Sequence, residues 1–280
     1  MELRKLKEIE HSKIRRSILQ GFERLADTHA SAKIGNLSDL IKDKKRFKHF
    51  FSNMKFYSIT DSSEKFKREW LARRCKPGVK ILDFACGNGE NALFAAGCGA
   101  QAFGIDISPE GIANASKNAA ELNLADLCNF KSMDGENMEF KDNSFDFGVE
   151  YGALHHVDLP KALGELARVL KPSGEMICIE ALRHNPLIHA YRRRTPHLRT
   201  EWEVQHILGV EDLKTFRQYF HEVKVKFFHL SALMLVPLRK TSLFPKILPI
   251  FNKIDNFFLR SELIGKYAWI MIVEVARPKK

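Results

Sequence analysis

The sequence predicts a doubly wound α/β fold, a mostly parallel seven-stranded sheet covered by helices on both faces. Two observations carry that expectation. Between residues 79 and 182, short apolar runs bounded by turn residues alternate with amphipathic stretches of helical length. That order is expected of parallel strands joined by crossover helices. The first apolar run also ends in a glycine-rich turn, Asp83-Phe84-Ala85-Cys86-Gly87-Asn88-Gly89, that opens directly into a helix.

The elements follow in sequence. Val79 to Phe84 reads as a buried strand, Asn91 to Gly97 as a helix, Ala102 to Ile107 as the second strand and Pro109 to Leu122 as the second helix. Leu127 to Met133 and Phe145 to Tyr151 are the third and fourth strands. Leu159 to Leu170 is an amphipathic helix that Lys171-Pro172-Ser173-Gly174 should close, because proline and glycine stop helices. Glu175 to Leu182 is the fifth strand. Beyond it, Asp212 to Tyr219 reads as a helix, and Val223 to His229 and Tyr267 to Ala276 as the last two strands. Two domain-level segments result: a basic helical cap over 1–75 and an α/β domain over 76–280. The domain carries irregular stretches at 184–210 and 230–266 on the side expected to face a substrate.

Composition narrows the function classes. Apolar residues make up 45% and charged residues 28% of the 280, a globular balance. The net charge of +11 favours anionic partners of some kind, whether nucleic acid, an acidic membrane leaflet or an acidic substrate. Five scattered cysteines without a C-x-x-C pair argue against a disulfide framework or a metal site, and point to a reducing, cytoplasmic setting. The N-terminus lacks the apolar core of a signal peptide. The apolar runs Phe227 to Leu238 and Tyr267 to Ala276 are shorter than the ~20 residues of a spanning helix. A soluble or peripherally bound protein is expected, cytoplasmic or at the inner face of the membrane.

Gly87 and Gly89 at a strand-to-helix turn would let a ligand approach the main chain. Gly87-Asn88-Gly89-Glu90-Asn91-Ala92 even satisfies a dinucleotide fingerprint, with Asp106 near the spacing of a ribose-binding acid. Asp83 argues against a dinucleotide, since a carboxylate there would repel a pyrophosphate yet could receive an ammonium group. Five ordered blocks then carry a resemblance. They are 81–89, Gly104-Ile105-Asp106-Ile107-Ser108, Met133-Asp134-Gly135-Glu136-Asn137-Met138, 144–156 ending in Leu154-His155-His156, and 165–174. Together they resemble class I S-adenosylmethionine-dependent methyltransferases with the Rossmann-like fold, nearest to the bacterial small-molecule and quinone-pathway type.

The resemblance implies a cofactor, S-adenosyl-L-methionine, a product, S-adenosyl-L-homocysteine, and no metal. It implies that Asp83 takes the methionine ammonium and that Gly87 and Gly89 lie along the cofactor. Asp106 would accept the ribose hydroxyls, Ile107 would pack on adenine, and Asp134 would accept from the adenine amino group beside Gly135 and Glu136. Glu150 and Tyr151 would sit beside the sulfonium, with Tyr57 reaching the methionine end from an N-terminal lid. His155, favoured over His156, would be the general base for an acceptor that must lose a proton. Arginines in Tyr191 to Trp202 could hold an anionic group on the acceptor.

The most unusual segment is 230–266, where apolar residues interleave with cations. It suits a lid over a hydrophobic substrate or an in-plane membrane helix, and equally an extra helix completing the core or a dimer interface. The favoured acceptor is a small hydrophobic molecule: a lipid, a quinone-pathway intermediate or a natural-product scaffold. The alternatives are an RNA or protein methyltransferase, and a cofactor-binding protein with other chemistry or none. Strand four ends in Glu150-Tyr151-Gly152-Ala153 rather than an Asn/Asp-Pro-Pro-Tyr arrangement, and no RNA-binding module is recognisable, so nucleic acid is disfavoured without being excluded. The oligomeric state is not legible.

Overall fold

The computed structural model describes residues 4–9, 55–195 and 200–280. The basic cluster at 42–46, Phe47, Phe50 and Phe51, and residues 196–199 of the arginine-bearing stretch lie outside them. Seven strands form one sheet, β1 (Lys80–Phe84), β2 (Gln101–Asp106), β3 (Cys128–Ser132), β4 (Phe145–Tyr151), β5 (Leu170–Ala181), β6 (Phe220–Phe228) and β7 (Ile270–Pro278). Their order is β3-β2-β1-β4-β5-β7-β6. β1 to β5 pair in parallel, whereas β7 runs antiparallel between β5 and β6. The strand order reverses between β1 and β4, so the carboxyl ends of β1, β2 and β4 surround the crevice where such sheets take ligands.

Alternation along the strands assigns the two faces. Leu82 and Phe84 point to one, packed with Leu163 and Leu166 of α4 (Leu159–Val169) and Phe216 of α7 (Leu213–Tyr219). Ile81, Val149, Ile177 and Ile179 point to the other. There they meet Trp70 and Leu71 of α1 (Asp61–Arg74) and Ala92 and Ala95 of α2 (Glu90–Gly97). α1 therefore belongs to the packed layer of the sheet, and a boundary at 75 cuts through one continuous core.

Helix starts are written locally. Ser108 caps α3 (Pro109–Glu121), its hydroxyl accepting from Gly111 N at 3.3 Å, with Pro109 in the first turn. Asp158 does the same for α4, and Asn185 for α5 (Pro186–Arg194).

One stop signal was misread by sequence logic. Lys171-Pro172-Ser173-Gly174 does end a helix, but the chain turns straight into β5, which begins at Leu170 and pairs it with Phe145 before a register shift. The irregular stretch 184–210 contains α5 and the short α6 (Glu201–His206). The segment before β7 is a 3-10 helix, Ser231–Leu238, followed by α8 (Phe244–Phe258) and the single turn α9 (Glu262–Gly265). Among the described residues no helix is long and apolar enough to cross a membrane.

Candidate functional site

The turn after β1 is built from backbone angles that few residues tolerate. Gly87 has φ +56° and Gly89 φ +87°, and a Cβ on Gly89 would sit 3.0 Å from Ala115 and from the Phe130 ring. Ala85, with φ +55°, is a non-glycine residue in the same left-handed region. Ala85 of this turn, residues following β2, β3 and β4, and the segment 4–9 line a cavity of about 100 Å³, whereas Gly87 and Gly89 do not line it. Its apolar wall comes from Phe84, Ile105 and Met133, and its acidic wall from Asp106, Asp134 and Glu136.

Each predicted residue now has a place. Asp106 ends β2 and uses both carboxylate oxygens internally, Oδ2 accepting from Gly87 N at 2.9 Å and Oδ1 from Ser108 N at 2.8 Å. These bonds aim the group at the cavity and leave acceptor capacity, since an ionised carboxylate has about four lone-pair sites. Asp134 and Ile107 also line the cavity. Gly135 lies against Phe84, where a Cβ would come within 2.4 Å of the ring. Glu136 Oε1 accepts from Asp158 N at 2.9 Å, while its buried Oε2 has no hydrogen-bond partner among the described residues.

Asp83 is set back from the cavity. Its side chain is 1% exposed and caps α2, accepting from Ala92 N at 2.9 Å and from Asn91 Nδ2 at 3.4 Å. Burial pushes its carboxyl up to about 7, against the pull of those bonds and of Lys67. The sequence reading treated it only as a ligand, although an acid at the end of β1 also faces the start of the next helix.

The tip of β4 is a buried ionisable cluster. Glu150 accepts from Ala153 N, Glu180 accepts from Leu154 N at 2.6 Å, and Glu180 Oε2 lies 2.6 Å from His155 Nδ1. Burial, and then the facing Glu180, raise the Glu150 carboxyl well above its ordinary value. Burial would raise Glu180 too, but the His155 ring outweighs it and holds that carboxyl down. Glu180 was marked by nothing in the sequence, although it stands near the end of β5 as Glu150 does near the end of β4.

His156 rather than His155 lines the cavity, its Nδ1 2.9 Å from Glu8 Oε2. Burial, then His155, lower its pKa. His155 stands one ring behind, with centroids 4.3 Å apart. Neither Glu150 nor Tyr151 reaches the cavity wall. Tyr151 lies instead under Lys67, whose Nζ is 4.6 Å from its ring and 2.9 Å from Glu64. Tyr57 is half-exposed, with its ring 6.0 Å from Trp269. Arg192 donates to the Leu182 carbonyl at 2.9 Å.

An unexpected contributor is the helical segment 4–9. Arg4 pairs with Glu136, Lys5 pairs with Asp134, and Glu8 Oε1 accepts from Thr200 Oγ1 at 2.6 Å. Arg4 also lies 4.4 Å from the Trp202 ring. No sequence motif marked these residues.

The cavity presents the carboxylates of Asp106, Asp134 and Glu136 on one side, the last two facing Lys5 and Arg4, and a flat apolar surface on the other. That set fits a nucleoside, which offers an apolar ring bearing an amino donor together with ribose hydroxyl donors.

Comparison with known proteins agrees with this geometry. The family model described as "Methyltransferase domain" matches residues 82–178. Over 124 residues the chain is 38% identical to a demethylmenaquinone methyltransferase of Symbiobacterium thermophilum, covering 42% of this chain and 49% of that protein. Over 167 residues it is 30% identical to a ubiquinone/menaquinone biosynthesis C-methyltransferase of Rickettsia prowazekii, covering 57% of this chain and 65% of that one. The chain thus spans about half to two thirds of the length of these curated relatives. Geranyl diphosphate C-methyltransferase from Streptomyces coelicolor shares the fold, with a TM-score of 0.52 at 16% identity over 76% of each chain. Residues 82–178 thus match a methyltransferase domain, and over part of their length the chain resembles the quinone-pathway methyltransferases.

Proposed function

We propose that this protein transfers a methyl group from S-adenosylmethionine to a small hydrophobic acceptor. The observation that carries the proposal is the convergence of Asp106 and Asp134, from the ends of β2 and β3, on one cavity with an apolar wall. When bound, the cofactor supplies an electrophilic methyl on a sulfonium, and the protein's task is alignment and exclusion of water.

The chain's own residues divide that task. Asp106 and Asp134 hold the nucleoside, Phe84, Ile105 and Met133 wall its ring, and Asp83, set back from the cavity, meets the ammonium end only through water. Glu180 bonded to His155 Nδ1 fixes the tautomer with its proton on that nitrogen and makes Nε2 the acceptor. His156, which lines the cavity in front of His155, is then the imidazole placed to take a proton from an acidic carbon or hydroxyl of the acceptor. Tyr57, at the half-exposed edge beside Trp269, closes the methionine end. The curated relatives named above are quinone-biosynthesis methyltransferases, which supports an acceptor of that hydrophobic kind.

The test is incubation of the full chain with methyl-labelled S-adenosylmethionine and host extract, followed by separation into organic, aqueous and polymer fractions. Label in the organic fraction is expected. Label in RNA or protein would instead support a polymer-modifying enzyme, the reading favoured by the +11 charge alone. Cofactor binding without label in any fraction would point to chemistry other than methyl transfer.

A further inference from the structure

We infer that the outer face of α8, continued by α9, is a docking surface for an anionic lipid bilayer. This deepens the proposed function and rests on it for its purpose, delivery of a bilayer-dissolved acceptor; the surface itself is argued from the residues below.

α8 is apolar on two sides. Its inner side packs Phe244, Ile247, Leu248 and Phe251 on the sheet-facing core. Asp255 fixes that side in place. Its buried carboxylate accepts from the backbone N–H groups of Leu230, Ser231 and Ala232 at 3.0, 2.7 and 3.2 Å, capping the 3-10 helix beneath. A helix apolar all round is ordinarily covered all round. Here the other side carries Ile250, Ile254 and Phe257, spaced to share one stripe and exposed by 55, 39 and 65%. Phe258, 51% exposed, lies at its edge.

Charge identifies the occupant. Lys246 and Lys253 fall on the same outer stripe, and Arg239, Lys240, Arg260 and Lys266 flank it in sequence. The acids between Leu230 and Lys266 are Asp255, buried and already bonded, and Glu262. A second copy of this chain would satisfy the apolar stripe. In a two-fold interface, however, the patch meets itself, bringing these cations together with only Glu262 of each copy to neutralise them. A nucleic acid would take the cations and leave the isoleucines and phenylalanines in water. An anionic bilayer satisfies both, because apolar side chains enter the acyl boundary while lysine stems reach up to the headgroups.

The patch also leads toward the acceptor side of the fold. Beyond α8, Leu263 is 78% and Tyr267 43% exposed. The chain then reaches Trp269, whose ring is 5.8 Å from Phe56 and 6.0 Å from Tyr57. No membrane-crossing helix exists among the described residues, so the helix would lie in the plane of the interface.

The experiment is sedimentation of the full chain with vesicles of phosphatidylcholine alone or mixed with phosphatidylglycerol. Binding to the anionic vesicles, weakened by salt, is expected. Lys246→Glu with Lys253→Glu should lower partitioning by about tenfold or more, since each cation near such a surface contributes about fivefold. Ile254→Ser with Phe257→Ser, both at exposed positions, should lower it comparably while cofactor affinity and thermal unfolding stay as in the parent. Absence of vesicle binding by the parent chain would overturn the inference, as would equal binding to neutral and anionic vesicles. A parent dimer that Phe257→Ser converts to monomer would assign the face to self-association and overturn it as well. Loss of cofactor binding in the parent would sink the proposed function instead, so the two failures are distinguishable.

Discussion

Asp83 shows how a strand-end carboxyl serves the fold. At the end of β1 it caps α2 and is nearly excluded from water, so its proton is held up to about pH 7, far above the value in an unfolded chain. The sign of the linkage follows. The folded state binds this proton more tightly, so Asp83 lowers stability as pH rises from about 4 to about 7. Asp83→Asn keeps an oxygen for Ala92 N and cannot ionise. Its stability relative to the parent should therefore increase with pH, by at most ~4 kcal/mol across that window. Urea unfolding at about pH 5 and about pH 8 measures this, and parallel shifts at both would show that Asp83 does not titrate there. Glu150, Glu180 and His155 form the other buried set. Glu150 was named only through the family resemblance, which points to the tip of strand four. Its partner Glu180 had no such mark, and only the parallel pairing of β4 with β5 brings the two together.

Among the elements, those with a strong period or a cap were legible, and those held by tertiary contact were not. β4 falls on the residues expected, and α3 and α4 start where proline and a capping side chain say they should. β5 begins earlier than Pro172 and Gly174 suggested, because pairing of Leu170 with Phe145 outweighs the local stop signal. The segment 4–9 was invisible as a site element. It has no motif, and its role lies in two cations meeting Asp134 and Glu136 across more than a hundred residues of chain. In this arrangement the Lys5 ammonium takes the carboxylate that the adenine amino group would use. Lys5→Ala should therefore tighten cofactor binding by about twofold to fivefold, the range of a partly exposed ion pair. Calorimetric titration decides it, and weaker binding would mean that the segment supports the ligand rather than competing with it.

At the scale of the whole molecule, the sheet brings the carboxyl ends of β1, β2 and β3 to one cavity. The order reversal between β1 and β4 opens the crevice, and the capped helices behind it keep the acidic wall aimed inward. That layout was readable because glycines, strand-end acids and helix caps each have a local physical cause. The closure of the cavity by 4–9 and the two-sided apolar character of α8 were not, since they depend on which distant surfaces meet. The central claim is that the carboxylates at the ends of β2 and β3 form the S-adenosylmethionine site. Calorimetry of the parent, Asp106→Ala and Asp134→Ala with S-adenosylmethionine tests it most directly, with circular dichroism confirming the fold. The account predicts binding by the parent and affinity lowered by about tenfold or more in each variant, the cost of a charged hydrogen-bond acceptor. Unchanged affinity in both variants would contradict it.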